Sequence, residues 1–514
     1  MSTRKTLDRR DFLSCVGLGV CALAANRVPA LAGQSVPVST KTAALLDLEL
    51  IASPATSQLL PGRTTNTWAY TSRVLAGDPS AVTPIADGFL GPAIRVRRGQ
   101  TMRVRFINGL PEPSIVHWHG LHVSPDMDGH PRDAVGPGSE YVYEFPITDR
   151  AGTYWFHPHP HGRTGAQVYN GLAGLLLVSD EEEDAARLPS GDYDIPLVIQ
   201  DRSFDAANQF ANTSTGHGGH AGGALGDTIL VNGRAEFTLD VQRSVYRLRL
   251  VNASNSRIYK FGWSDESPLT VIATDGGLLE APVARSYVTL APGERVVVIA
   301  DFRRYRKGAS VRMLSRAFSG ADTGEMMGNT RIPNGAEFPV FTVRMRRRGP
   351  QSFEMPSRLS TISRYRLEDA TNAVSPRRLA LAMAPPFGWS INGRTFEVDE
   401  VLPDEVVRLG ALEAWDIENS SGGMHGAGMA HPIHLHGFQF QVVERQVDAR
   451  FEAGWRSVSA GFVDEGWKDT VLVMPGERVR MLARFDDFTG VYLVHCHNLE
   501  HSDAGMARNF EVAG

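Results

Sequence analysis

Cysteine is scarce in this chain of 514 residues: there are three, and two of them, Cys15 and Cys21, fall close to the N-terminus. The rest of the chain keeps only Cys496. A single thiol cannot close a disulfide within a monomer, so a small disulfide-stapled scaffold is excluded. Positive charge is not in excess either. The 52 Lys and Arg stand against 57 Asp and Glu, a net charge of −5 that removes the electrostatic footprint of a DNA- or RNA-binding protein. The apolar stretch near the N-terminus, Leu13 to Ala25, is shorter than the roughly 20 residues a bilayer span needs.

What is present points to β structure. The 51 glycines and 30 prolines imply many turns, and the length implies about three domains whose stability comes from core burial. The N-terminus reads differently from the rest. Arg9-Arg10, the apolar stretch and Ala30-Leu31-Ala32 resemble a twin-arginine export signal over residues 1–32, with Asp8 where Ser or Thr is more usual. That segment holds five basic and two acidic residues, so its removal takes the net charge from −5 to −8. It implies export by the twin-arginine machinery and a periplasmic location.

Three segments look like copies of one another. Thr228-Ile229-Leu230-Val231-Asn232-Gly233-Arg234 is echoed by Ser390-Ile391-Asn392-Gly393-Arg394, with Gly91 to Val96 as a diverged first copy. Pro292-Gly293-Glu294-Arg295-Val296 recurs as Pro475-Gly476-Glu477-Arg478-Val479, and more loosely as Pro137-Gly138-Ser139-Glu140. Met102-Val104-Phe106 and Tyr246-Leu248-Leu250 alternate with a period of two, and Val406 to Leu412 does so less regularly. Repeats this far apart are duplicated domains. Polar stretches at Glu181–Asp192 and Arg344–Pro356 read as solvated linkers. The expected fold is all-β, three consecutive Greek-key β-sandwich domains over 44–185, 191–346 and 357–514.

The sixteen histidines are unevenly placed: seven lie between 117 and 161, seven between 425 and 501, and only His217 and His220 between them. His-x-His recurs four times, at His117/His119, His157/His159, His434/His436 and His495/His497. In a strand, residues two apart share a face at a Cα spacing of about 6.5 Å, so each pair can aim two imidazoles at one metal cluster. Cys496, His501 and Met506 are spaced Cys-x4-His-x4-Met, and His431 precedes His434 by three. Two imidazoles, a thiolate and a weakly held thioether suit electron-transfer copper. Zinc also takes Cys and His, although it needs no methionine and has no second oxidation state. Strand alternation turns Cys496 one way and His495 and His497 the other, so one backbone segment joins two separate centres.

His117-Trp118-His119-Gly120, His157-Pro158-His159, His431-Pro432-Ile433-His434-Leu435-His436-Gly437 and His495-Cys496-His497-x3-His501-x4-Met506 resemble the four copper motifs of the multicopper oxidases. The resemblance implies three cupredoxin domains and four copper ions that reduce O2 to water. It assigns a type 1 copper to His431, Cys496 and His501 with Met506 axial, and a type 2 copper to His117 and His434. The type 3 pair then takes His119, His157, His159, His436, His495 and His497. The middle domain is expected to be a spacer that lets the two ends meet.

Four protons accompany the four electrons, and two carboxylates are candidate carriers. Glu500 lies between His497 and His501, and Asp128 follows His119 by nine residues. The family resemblance is to laccases and to periplasmic copper-efflux oxidases. Met424, His425 and Met429 precede His431, and soft thioethers suit Cu(I). Against that, Ala427 stands where an acidic copper ligand is expected, and the long Met-rich insertion of the efflux oxidases is missing. The expected substrates are therefore phenols or aromatic amines, with Cu(I) as the alternative and a monomer as the expected state. Met326 and Met327 are further candidates for a copper path, and His217 and His220 for an extra metal. A copper-free cupredoxin scaffold of cell division is the remote alternative, and the complete set of ligand residues stands against it.

Overall fold

A computed structural model describes residues 44–85, 89–211, 222–321, 330–384, 388–420 and 428–514. The expected signal segment, Cys15, Cys21, His217, His220, Met326, Met327, Met424, His425 and Ala427 lie outside the described residues. None of the described helices is long and apolar enough to cross a membrane.

Six sheets form three consecutive sandwiches, with strands spanning Leu45–Ser179, Asp194–Arg348 and Arg377–Ala513. Among the described residues, each sheet contains one parallel strand pair and is otherwise antiparallel. The same pattern six times over is what duplication of one unit produces. The repeated Asn-Gly pairs explain part of it. Asn232 and Gly233 have φ of 50° and 74°, and Asn392 and Gly393 have 55° and 74°, so both copies are tight turns that need left-handed backbone. In both, the Asn side chain also accepts an N–H from the neighbouring strand, Val198 in one case and Ala380 in the other.

Alternation fills the cores. In Thr101–Asn108, Met102, Val104 and Phe106 are fully buried, while Thr101, Arg103 and Arg105 face outward. Strand Val245–Asn252 is buried on both faces. Tyr246, Leu248 and Leu250 enter the middle core. Arg247 and Arg249 lie on the other face, paired with Asp194 at 2.6 and 2.7 Å and with Glu183. Two local expectations differ from what is seen. The stretch from Glu181 contains a helix, Glu181–Ala186, whose Glu183 enters that buried ion-pair group rather than solvent. The Arg344 run is the end of strand Phe338–Arg348, and its Arg344 and Arg346 alternate outward onto Asp240.

Candidate metal centre

Four strands carry the chemistry. β1 (Val116–His119) pairs antiparallel with β2 (Gly152–Pro158), placing His117 opposite His157. β3 (His431–Leu435) pairs antiparallel with β4 (Gly490–Cys496), placing Ile433 opposite Cys496 and His434 opposite His495. Alternation then sorts the side chains of the second pair. His431 and Cys496 face into the third sandwich, and His434 and His495 face the first.

The eight imidazoles of the four His-x-His pairs are essentially buried. Their ring nitrogens converge from both chain ends: His117 Nε2 to His434 Nε2 3.2 Å, His119 Nδ1 to His157 Nε2 3.4 Å, and His159 Nε2 to His495 Nε2 3.3 Å. The His436 ring joins His159 and His495, and the His497 ring lies 5.0 Å from that of His119 and 5.3 Å from that of His157. Nitrogens on one metal at about 2.0–2.1 Å have separations of this size. Burial, helped by neighbouring imidazoles, lowers the pKa of all eight rings, with His157 and His434 near 3 and His495 near 4. At neutral pH the rings keep their lone pairs. His436 Nε2 and both His497 nitrogens have no hydrogen-bond partner in the protein, and one lone-pair nitrogen on each ring fits a metal ligand.

Most of these rings are anchored through their other nitrogen, which fixes the tautomer. His117 Nδ1 donates to the Asp128 carbonyl at 2.7 Å, His434 Nδ1 to the Asp469 carbonyl at 2.8 Å, and His436 Nδ1 to Asp128 Oδ2 at 2.7 Å. His119 Nε2 meets Asp469 Oδ1 at 2.9 Å. Asp128 closes a short helix, Pro125–Asp128, and is fully buried, which pushes its carboxyl well above the usual range. For Asp469, burial would raise the carboxyl, but the Arg295 guanidinium, with His434 and the Thr470 hydroxyl, holds the group below its usual value.

The second centre lies within the third sandwich. Cys496 Sγ is 3.6 Å from His431 Nδ1 and 3.8 Å from His501 Nδ1, which are 3.1 Å from each other. Met506 is buried in the same core cluster, and its carbonyl accepts the Cys496 N–H at 2.9 Å. The Trp389 ring lies 4.2 Å from that of His501 and 5.0 Å from that of His431. Burial pushes the Cys496 thiol far up, so a bound cation is what would displace its proton.

Glu500 is buried on the helix Leu499–Asp503. It accepts Asn255 Nδ2 at 2.7 Å, Ser256 Oγ at 2.6 Å and the Ala224 N–H at 3.1 Å, all from the middle sandwich. Beside it, burial pushes the Asp503 carboxyl up to about 7; the Gly165 and Thr164 N–H groups oppose the rise and Glu500 adds to it. Met429 is only 5% exposed and packs in the core cluster of Cys496 and Met506. His122 and His130 tie the first sandwich to the third, through Gly437 and Asp487 and through Asn509. Sequence reasoning missed Asp469 and Trp389, and it saw Arg295 only as part of a repeated turn.

Family models of the multicopper oxidases match residues 67–183 and 368–514. The laccase of Bacillus subtilis (strain 168) is 31% identical, over 82% of this chain and 88% of its own. The cell division protein FtsP of Escherichia coli (strain K12) is 30% identical, over 91% and 90%. The crystal structure of the McoA multicopper oxidase from Aquifex aeolicus superposes with a TM-score of 0.76 at 34% identity, covering 91% of this chain and 96% of that one. With two converging histidine groups on a cupredoxin fold, the chain belongs to the multicopper oxidases, copper-binding oxidoreductases that pass electrons from reducing substrates to O2.

Proposed function

We propose that this enzyme binds four coppers and acts as a laccase on phenols and aromatic amines. The thiol centre, His431, Cys496 and His501 with the Met506 thioether, would hold the type 1 ion. His117 and His434 hold the type 2 ion. The six remaining imidazoles would divide by proximity into His119, His157 and His497 for one type 3 ion and His159, His436 and His495 for the other. Copper bound at these positions would supply the one-electron chemistry that links substrate oxidation to O2 reduction.

One observation carries this reading. In β4 and the residues after it, Cys496 belongs to the thiol centre while His495 and His497 belong to the imidazole group. The two centres are therefore joined by a few covalent bonds, wiring that simple metal storage does not need. Asp128 and Glu500 are the proposed proton carriers. Asp128 sits in hydrogen-bond contact with His436, and Glu500 sits beside ligands of both centres. The three domains are proposed to run over 44–185, 191–346 and 357–514, and residues 1–32 to direct export to the periplasm.

Phenols are favoured over Cu(I) because Met429, the thioether nearest in sequence to His431 of the thiol centre among the described residues, is packed into the core rather than offered at a surface. Oxygen uptake with a phenol and with Cu(I), in the wild type and in Met429→Leu, tests this. Phenol turnover exceeding Cu(I) turnover in both proteins supports the laccase reading. Dominant Cu(I) turnover that is lost in Met429→Leu makes the enzyme a cuprous oxidase.

A further inference from the structure

The middle sandwich supplies none of the proposed copper ligands, yet it holds one whole stretch of the third sandwich beside the imidazole centre. The carbonyl of Trp467 accepts the Gly276 N–H and the Thr274 hydroxyl, both at 2.9 Å. Lys468 Nζ lies 3.0 Å from both Asp275 and Glu294. The Asp469 carboxylate takes Arg295 NH1 at 2.7 Å and NH2 at 2.6 Å.

Arg295 is fully committed. A guanidinium has five N–H donors, and here each has an acceptor. Besides the two bonds to Asp469, Nε donates to the Thr153 carbonyl at 2.9 Å, NH1 to the Gly293 carbonyl at 3.1 Å, and NH2 to the Asp275 carbonyl at 3.0 Å. Its partners come from all three sandwiches, and the side chain is fully buried. Asp469, fixed in this way, carries His119 on its carboxylate and His434 on its carbonyl. The same turn presses directly on the centre: a Cβ at Gly293 would lie 2.9 Å from the His497 ring. The fit extends to Gly120, at φ 91°, where a Cβ would stand 2.4 Å from Asp469 Oδ2 and 2.7 Å from Arg295 NH2.

The repeated Pro-Gly-Glu-Arg-Val turn supplies its own control. Glu294 and Glu477 do the same local work, each accepting a backbone N–H three residues back at 2.7 Å. The arginines differ. Arg478 is 22% exposed and pairs with Asp416 and Glu444 inside its own sandwich.

We propose that Arg295 is a positioning residue of the imidazole centre, acting through Asp469 on His119 and His434, so that the middle sandwich sets how this centre holds copper. This rests on the proposed copper assignment. Removing a direct hydrogen-bond partner of a ligating histidine lowers metal affinity by about 10–100-fold, and Arg295 stands one bond further out, so the low end of that range is expected. The test compares wild type, Arg295→Met, Arg295→Lys and Arg478→Met, each loaded with copper and titrated with a chelator. The readouts are copper per chain, the blue thiolate absorption and the paramagnetic signal of the type 2 ion. Arg295→Met is expected to lose imidazole-centre copper at about tenfold lower chelator or less, with the blue absorption intact. Arg295→Lys, with three donors for five acceptors, should fall between, and Arg478→Met should match wild type. Unchanged occupancy and type 2 signal in Arg295→Met overturn the proposal alone. Equal loss of the blue absorption also overturns it, because it shows a general structural role. A wild type that binds no copper outside the thiol centre overturns the copper assignment and the proposal together.

Discussion

The thiol centre and the imidazole centre are built on different plans. All four residues of the first, His431, Cys496, His501 and Met506, come from one sandwich, with Cys496 and Met506 in its core cluster. The second takes its eight rings from both ends of the chain and its supports from all three sandwiches. The first can form when one domain folds; the second exists only once the domains have docked. A seam is also where eight neutral imidazoles can be buried together without disturbing any single core. The cost is that their geometry depends on interdomain contacts such as the five bonds of Arg295.

That contrast sets the largest expected effect, acid sensitivity of the copper-free chain. All eight seam imidazoles have lowered pKa values in the folded state, three of them near 3 to 4, whereas unfolded His titrates near 6.5. Between those values the unfolded chain binds more protons, so stability present above about pH 6.5 is lost as pH falls, at roughly 1.4 kcal/mol per pH unit for each ring. Copper-free protein should melt at a much lower temperature at pH 5 than at pH 7, and bound copper should flatten the difference. Equal melting temperatures at the two pH values would show that the rings are not desolvated as described.

Glu500→Gln sharpens the contrast from the side of chemistry. Copper content and blue absorption should stay as in wild type, while oxygen consumption falls about 10²-fold or more and its pH profile changes. Turnover that is intact across pH removes Glu500 from proton delivery. The smallest effect is expected at the rim of the seam. His122 bridges the first and third sandwiches through Gly437 and a partly exposed contact to Asp487. His122→Gln should cost less than about 1 kcal/mol in denaturant unfolding and leave both centres loaded. A larger loss would mean that the seam is held at its edge rather than at Arg295.

Much of this site was legible in the sequence, for one physical reason. Strands repeat every two residues, so four His-x-His pairs had to present paired imidazoles, and Cys496 had to face away from His495 and His497. The grouping of the converging imidazoles by proximity was not legible, because it depends on the register of β1 with β2 and of β3 with β4 and on how the sandwiches dock. Arg295 was visible only as part of a repeated turn, and local sequence gives no sign that one copy points into a domain seam and the other into its own sheet. Glu183 was read as solvated linker because its partners, Arg247 and Arg249, lie more than 60 residues away. The middle sandwich, expected to be a spacer, supplies the main chain and side chains that hold Glu500 and Asp469.

The central claim is that Cys496 joins the two centres, and one measurement addresses it directly. Cys496→Ser should retain copper at the imidazole centre, since none of the eight rings changes, and should lose the blue absorption. Mixed with excess phenol in the absence of oxygen, its remaining copper should stay oxidised, and with oxygen its uptake should drop to background. Reduction of that copper by phenol at the wild-type rate would contradict the account.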